Sequence, residues 1–370
     1  MADNVRKHHE PLVQIAKRDE LFGWQKWLIR FAAIGIGLLV SGLISAAMTQ
    51  TSFGEVYNIM FKGVFGRLLE GKTTLLWRFL QNTAILLCLS LAVTPAFRMR
   101  FWNCGAEGQA LIGGLAAMVC MIEIGDTVPN GLLIFIILVC SIAAGAIWGL
   151  IPALFHAQYK TNETLFTLMM NYVATQIVAY YVYVTGSGSG IIKPVATGNL
   201  PVIMDEKYLL NVLIVTLLMI GMYIYLQYSK QGYEISVVGE SQNTARYAGI
   251  NVKKVIIRTM VISGAVCGIA GMLLVSGTDH SINTNTVGGQ GFTAIMISWL
   301  GQFNPFIMAG MAGLVTFLET GAAKVADTFF LNSSYADIVS GIVILFLVGC
   351  EFFIQYKVKF RQVKKGGQTK

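Results

Sequence analysis

Apolar residues in this chain gather into blocks of membrane-spanning length, separated by short polar stretches. Crossing about 30 Å of hydrocarbon takes roughly 20 helical residues. Runs of that kind lie at 28–48, 74–95, 131–154, 163–184, 208–228, 256–276, 305–320 and 336–354. Two further runs, 103–123 and 288–301, are shorter and broken by glycine. The pattern predicts an all-α, polytopic membrane protein of about ten transmembrane segments, two of them short and glycine-broken.

Polar stretches set the organisation around these blocks. Residues 1–27 form a polar N-terminal tail, 28–355 the transmembrane domain and 356–370 a basic C-terminal tail, with one long internal loop at 229–256. Arg6, Lys7, Lys17, Arg18, Lys26 and Arg30 gather around the start of the first span. Arg98, Arg100, Lys160, Lys230, Arg246, Lys253, Lys254, Arg258 and the run from Lys357 to Lys365 fall on the same side if both short segments cross. The positive-inside rule then makes both termini and the 229–256 loop cytoplasmic. Lys62, Arg67 and Lys72 in the first loop run against the rule, because the count places that loop outside. Residues 186–206, opening on a GSGSG run, have the composition of an external loop. Within 229–256, Ser241 suits an N-cap, Gly249 a stop and Asn243–Tyr247 the body of a short helix, with Gly239 allowing a tight turn into it. Such a helix is either a connector or a dock for a cytoplasmic partner.

Composition narrows the class. Apolar residues make up 55% of the 370, charged ones 12%, and mean hydropathy is +0.63. A soluble domain carries about a quarter charged residues, so the excess apolar surface here belongs against a lipid bilayer. A net charge of +8 resembles a nucleic-acid signal. The cations sit between apolar blocks, however, as membrane topology requires, and no nucleic-acid partner is expected. Cys88, Cys104, Cys120, Cys140, Cys267 and Cys350 show no paired metal-ligand spacing. His8, His9, His156 and His280 supply none either, so neither a metal nor another cofactor is expected.

Several motifs carry polar chemistry into the apolar blocks. Gly66 to Thr73 satisfies the phosphate-loop pattern GxxxxGK[ST]. The flanking spans leave no room for the parallel sheet that such a loop requires, and Glu70 would face the phosphates. Val287–Gln290 likewise echoes an ATPase signature without a surrounding ATPase domain. Asn103-Cys-Gly-Ala-Glu107-Gly-Gln109 opens the first short segment. An ionisable residue in such a block faces a bundle interior or an aqueous path, and its glycines permit a broken helix or close packing. Glu107 either accepts hydrogen bonds from a solute or is held by backbone N–H groups at the break. Gly288-Gly-Gln290-Gly-Phe292 opens the second short segment with similar residues. Glu163, Thr167 and Asn171 share one helix face behind Asn162 and either line a path or bond neighbouring helices. The Ser263-Gly264…Gly268…Gly271 stripe reads as close helix packing.

Taken in order, these motifs resemble the permease family of ABC importers for nucleosides and simple sugars, within the wider branched-chain amino acid/ribose-type superfamily. The matching stretches are Phe101–Gln109, Asn162–Tyr172, Gly232–Glu240 running into Thr244–Val252, and Gly291–Ile295. Cys104 departs from the family's usual aliphatic residue at little cost in size or polarity. The resemblance implies a permease that does no chemistry itself, located in the cell membrane and importing nucleosides. Simple sugars are the alternative, and an ATP-independent secondary carrier a more distant one. It further implies a separate cytoplasmic ABC ATPase, an extracytoplasmic substrate-binding lipoprotein, and a second related permease completing a heterodimer. Asn103, Glu107, Gln109, Thr167, Asn171, Gln290 and Phe292 are then the candidates for the substrate path. Gly239, Glu240, Ser241, Arg246 and Gly249 are the candidates for ATPase coupling.

Overall fold

The computed structural model describes residues 13–18, 22–66, 73–186, 188, 190–204, 206–332 and 334–360. The phosphate-loop match at 67–72, with Arg67 and Lys72, lies outside them. Thirteen helices occur among the described residues. The first seven are α1 (Gly23–Thr49), α2 (Phe53–Phe65), α3 (Thr74–Arg98), α4 (Ala106–Glu123), α5 (Asn130–Tyr159), α6 (Glu163–Thr185) and α7 (Leu209–Tyr228). There follow α8 (Lys230–Glu240), α9 (Gln242–Tyr247), α10 (Val252–Leu274), α11 (Gln290–Leu300), α12 (Pro305–Thr328) and α13 (Ser334–Gln355). Nine of them, α1, α3 to α7, α10, α12 and α13, are long and apolar enough to cross a bilayer. The helix α11, with 11 residues, covers about 16 Å and reaches only about half-way.

The chain divides into two compact units, residues 1–61 with 318–370, and residues 62–317. In the first, α1 packs along α13, and a Cβ on Gly37 would approach the Val343 Cα to 3.1 Å. Arg30 is buried and pairs with Glu351 at 2.6 Å, with its guanidinium 5.4 Å from the Trp27 ring. A buried cation of this kind persists only where a carboxylate and hydrogen bonds replace its water. Val13–Lys17 (β1), in the N-terminal tail, pairs antiparallel with Tyr356–Phe360 (β2). The pairing sets residues 13–17 beside 356–360.

In the second unit α10 is the central post, buried along most of its length and packed by α3, α4 and α5. Glycine makes this possible. A Cβ on Gly113 of α4 would come within 2.5 Å of the Gly268 Cα, and one on Gly145 of α5 within 2.8 Å. The stripe predicted for close packing is thus the three-helix crossing itself. Much of α5, α6 and α7 is exposed apolar surface, suited to lipid or another membrane subunit. Two stretches expected as loops are helical. The first loop holds α2, and the 229–256 loop holds α8 ahead of α9. In each, interspersed Gly and Lys had masked the helical period.

Candidate functional site

The chain leaves α3 at Arg98, runs as coil through Asn103, and starts α4 only at Ala106. That break is held by side chains. Asn103 is fully buried and donates to Ser263 Oγ of α10 at 3.0 Å. Its Oδ1 accepts from the Gly105 N–H at 3.0 Å and from Gln109 Nε2 at 3.2 Å. Gln109, also buried, thereby folds the first turn of α4 back on the coil. From α6, Thr167 Oγ1 accepts the Cys104 N–H at 3.1 Å. Asn171 donates to the Cys104 carbonyl at 2.9 Å and accepts the Gly108 N–H at 2.9 Å. Backbone groups released by breaking a helix in an apolar interior need partners; Asn103, Thr167 and Asn171 supply them, and Gln109 holds the Asn103 amide in place.

Glu107 faces the other break. Its Oε1 accepts from the Gly289 N–H and its Oε2 from the Gly291 N–H, each at 2.8 Å. The carboxylate therefore caps α11 while sitting in the first turn of α4, where both helix dipoles favour an anion. Of the two roles open to Glu107 in the sequence, the geometry fits the second, a carboxylate held by backbone donors. The donors come close because Gly289 sits at φ +79 and a Cβ on Gly291 would meet Glu107 backbone. From this junction α4 runs along α10 towards Met121, and α11 runs the opposite way, stacking Trp299 on Trp102 at 5.7 Å. Gln290 and Phe292 stand at the junction's rim. Phe292 is exposed, and Gln290 Oε1 is buried with no hydrogen-bond partner among the described residues.

The other candidate group lies on α8 and α9. Ser241 Oγ accepts the Thr244 N–H at 3.2 Å as the N-cap of α9, and Gly249 takes φ +78 just after it. Gly239 was expected at the turn but lies within α8. It is needed there because a Cβ would overlap the Arg98 carbonyl oxygen. Arg258 pairs with Glu234 at 2.9 Å, tying α10 to α8. Ala245 alone anchors α9, leaving Glu240, Arg246 and Tyr247 exposed. The sequence reading missed Ser263 as the partner of Asn103, and Gly289 and Gly291 as donors. It also missed Gln81 and Asn211, buried amides of α3 and α7.

The profile of the family described as "Branched-chain amino acid transport system / permease component" matches residues 75–348. The chain is 30% identical to the guanosine ABC transporter permease protein NupP of Bacillus subtilis, over 92% of this chain and 97% of that protein. It is 26% identical to the glucose ABC transporter permease protein TsgB13 of Haloferax volcanii, over 96% of each chain. It is 25% identical to the nucleoside ABC transporter permease protein NupB of Lactococcus lactis, over 94% of this chain and 97% of that protein.

Proposed function

This chain belongs to the branched-chain amino acid transport system permease family, and we propose that it moves nucleosides inward as one subunit of a cell-membrane ABC importer. It is a multi-pass membrane transport subunit, not an enzyme. The nucleoside reading draws on the full-length likeness to NupP and NupB, and the glucose permease TsgB13 keeps simple sugars as the second reading. In this reading 28–355 is the membrane domain, and the tails 1–27 and 356–370 face the cytoplasm together with the 229–256 loop. A cytoplasmic ATPase docks there, a binding lipoprotein delivers solute from the opposite side, and a second related permease covers exposed span surface.

One observation carries the ATPase assignment. The helix α9 is clamped at its cap and at Ala245, yet no described residue covers Arg246 or Tyr247. A rigid, exposed aromatic–cation pair on a short helix suits an acidic groove in a partner. Gly239, Glu240, Ser241 and Gly249 hold or flank it. Arg246→Glu would place like charges together, which costs several kcal/mol at an interface. The variant is expected to reach the membrane at wild-type abundance, to lose at least tenfold in ATPase recovered by pull-down, and to stop uptake. Undiminished ATPase recovery with continued uptake would remove the docking assignment.

At the junction we assign two jobs. Gln290 and Phe292, at the rim, meet the solute, and the free Gln290 oxygen offers a neutral acceptor to its hydroxyls. Asn103, Glu107, Gln109, Thr167 and Asn171 hold the wall of the path. Uptake of labelled guanosine by cells carrying the whole system, set against glucose, separates the two solute readings.

A further inference from the structure

The junction is not the only polar place inside the second unit. Gln81 of α3 and Asn211 of α7 have no exposed surface. Gln81 donates to Thr278 Oγ1, but its Oε1 has no partner among the described residues. Asn211 has none for either Oδ1 or Nδ2. Its amide lies against Gly277, where a Cβ would meet Oδ1 at 2.6 Å. Gly277 and Thr278 belong to a π turn, Val275–Asp279, that closes α10. Such turns leave the regular hydrogen-bond ladder and recur at functional sites. A buried donor or acceptor left unmade is costly, and here three converge on one turn.

The place is also covered. Segment 191–200 lies across it, with the Ile192 N–H on the Ile282 carbonyl at 3.0 Å and the Val195 N–H on the His280 carbonyl at 2.9 Å. The Leu200 N–H bonds the Ser276 carbonyl at 3.1 Å, and Ser276 Oγ donates to the Gly198 carbonyl. Asn130 Oδ1, at the start of α5, accepts the Gly198 N–H at 2.9 Å. Thr197 Oγ1 also donates to the Met121 carbonyl and Asn130 Nδ2 to the Asn199 carbonyl, and the strap lies at the end of α10 away from α9.

We infer that Gln81, Asn211 and the π turn form a second solute station, beneath the 191–200 strap, that takes a neutral hydroxyl-bearing group. The open atoms are two acceptors and one amide donor, with no charge among them. A hydroxyl both donates and accepts, so it satisfies the set. An anion cannot use the acceptors, and a bare cation cannot use the donor. Ser263 at the junction and Thr278 at the π turn are fifteen residues apart on one helix, about 22 Å. A polyhydroxyl solute crossing an apolar bundle then meets a hydrogen-bonding station in each half. The inference deepens the nucleoside reading and rests on it for the identity of the solute alone.

Two experiments on the complete importer in intact cells test it. In a background without the six native cysteines, Asn211→Cys is treated with a small water-soluble methanethiosulfonate. Labelling is expected to accompany ATP turnover and to slow several-fold when guanosine is added. Separately, Gln81→Leu and Asn211→Leu remove the open atoms at similar volume. Both should keep wild-type membrane abundance or exceed it, yet lose at least tenfold in guanosine uptake. Their discrimination between guanosine and its 2′- and 3′-deoxy analogues should collapse. A cysteine inert at 211 in a turning-over importer, or leucine variants with wild-type uptake and discrimination, would mean a trapped water only and overturn the station. Wild-type cells that import no guanosine would end the nucleoside reading, while labelling at 211 under turnover would still decide this one.

Discussion

Gly268→Val is expected to abolish the folded permease, cutting membrane abundance at least tenfold, while Gly221→Ala leaves abundance unchanged. Both are single substitutions of helical glycines, and the difference lies in what a Cβ would touch. At Gly268 it would strike the Ser141 carbonyl oxygen of α5, with the Ser141 carbonyl carbon at 2.9 Å. The Gly113 backbone of α4 crowds the same residue from the other side. These obstacles are backbone, which no rotamer change can move aside. Even in adaptable cores, added methylenes cost about 1–3 kcal/mol. Close backbone approach through small residues is moreover what holds spanning helices together, because lipid offers them no hydrophobic drive. At Gly221 on α7 a Cβ would meet no described atom within 4 Å outside its own helix backbone, and alanine favours a helix over glycine by about 1 kcal/mol. Quantitative blotting of membranes, with melting of detergent-purified protein, checks the pair. Wild-type abundance of Gly268→Val would mean that α10 does not cross α4 and α5 at glycine.

The spans were legible because apolar blocks of the right length have few alternatives, and the two broken segments because glycine and amides interrupt them. The packing stripe was legible for the same reason, since small residues at helical spacing have one common use in a bilayer. What joined the breaks was not legible. Glu107 and its donors at Gly289 and Gly291 are more than 180 residues apart in sequence, and no local pattern links a carboxylate to backbone N–H groups. Asn211 and Gln81 stayed hidden because one or two amides in an apolar block give no periodic signal, and their meeting at the π turn depends on three helices at once. The strand formed by Val13–Lys17 has its partner at the far end of the chain. For α9 the local signals sufficed, since Ser241 and Gly249 bracket it, whereas Gly239 was misplaced. A glycine suits both a turn and a close crossing, and only the Arg98 carbonyl shows which applies.

Glu107→Gln is expected to behave as a folding lesion first and a transport lesion second. The carboxylate presents two acceptors to two backbone donors, the Gly289 and Gly291 N–H groups, each at 2.8 Å. Glutamine keeps one acceptor and turns an NH₂ towards the other N–H, so one buried donor loses its partner and faces another donor. Hydrogen bonds to a charged group contribute about 1.5–3 kcal/mol, and an unsatisfied buried donor costs a similar amount. Loss of the anion between two helix N-termini adds up to about 2 kcal/mol in a partly buried setting. Together these effects should loosen α11 from α4. The variant is expected to show several-fold lower membrane abundance and a lower melting temperature in detergent, with uptake falling in step. Faster hydrogen exchange at Gly289 and Gly291 would locate the lesion. Glu107→Asp keeps the charge but is one methylene shorter, so it reaches one donor at a time and should fall between the two. The opposite pattern, normal abundance and melting with altered uptake, would place the carboxylate against the solute and leave α11 to be held by something else. Both carboxylate oxygens are committed to the backbone N–H groups that hold the start of α11, which is why abundance is expected to move before selectivity does.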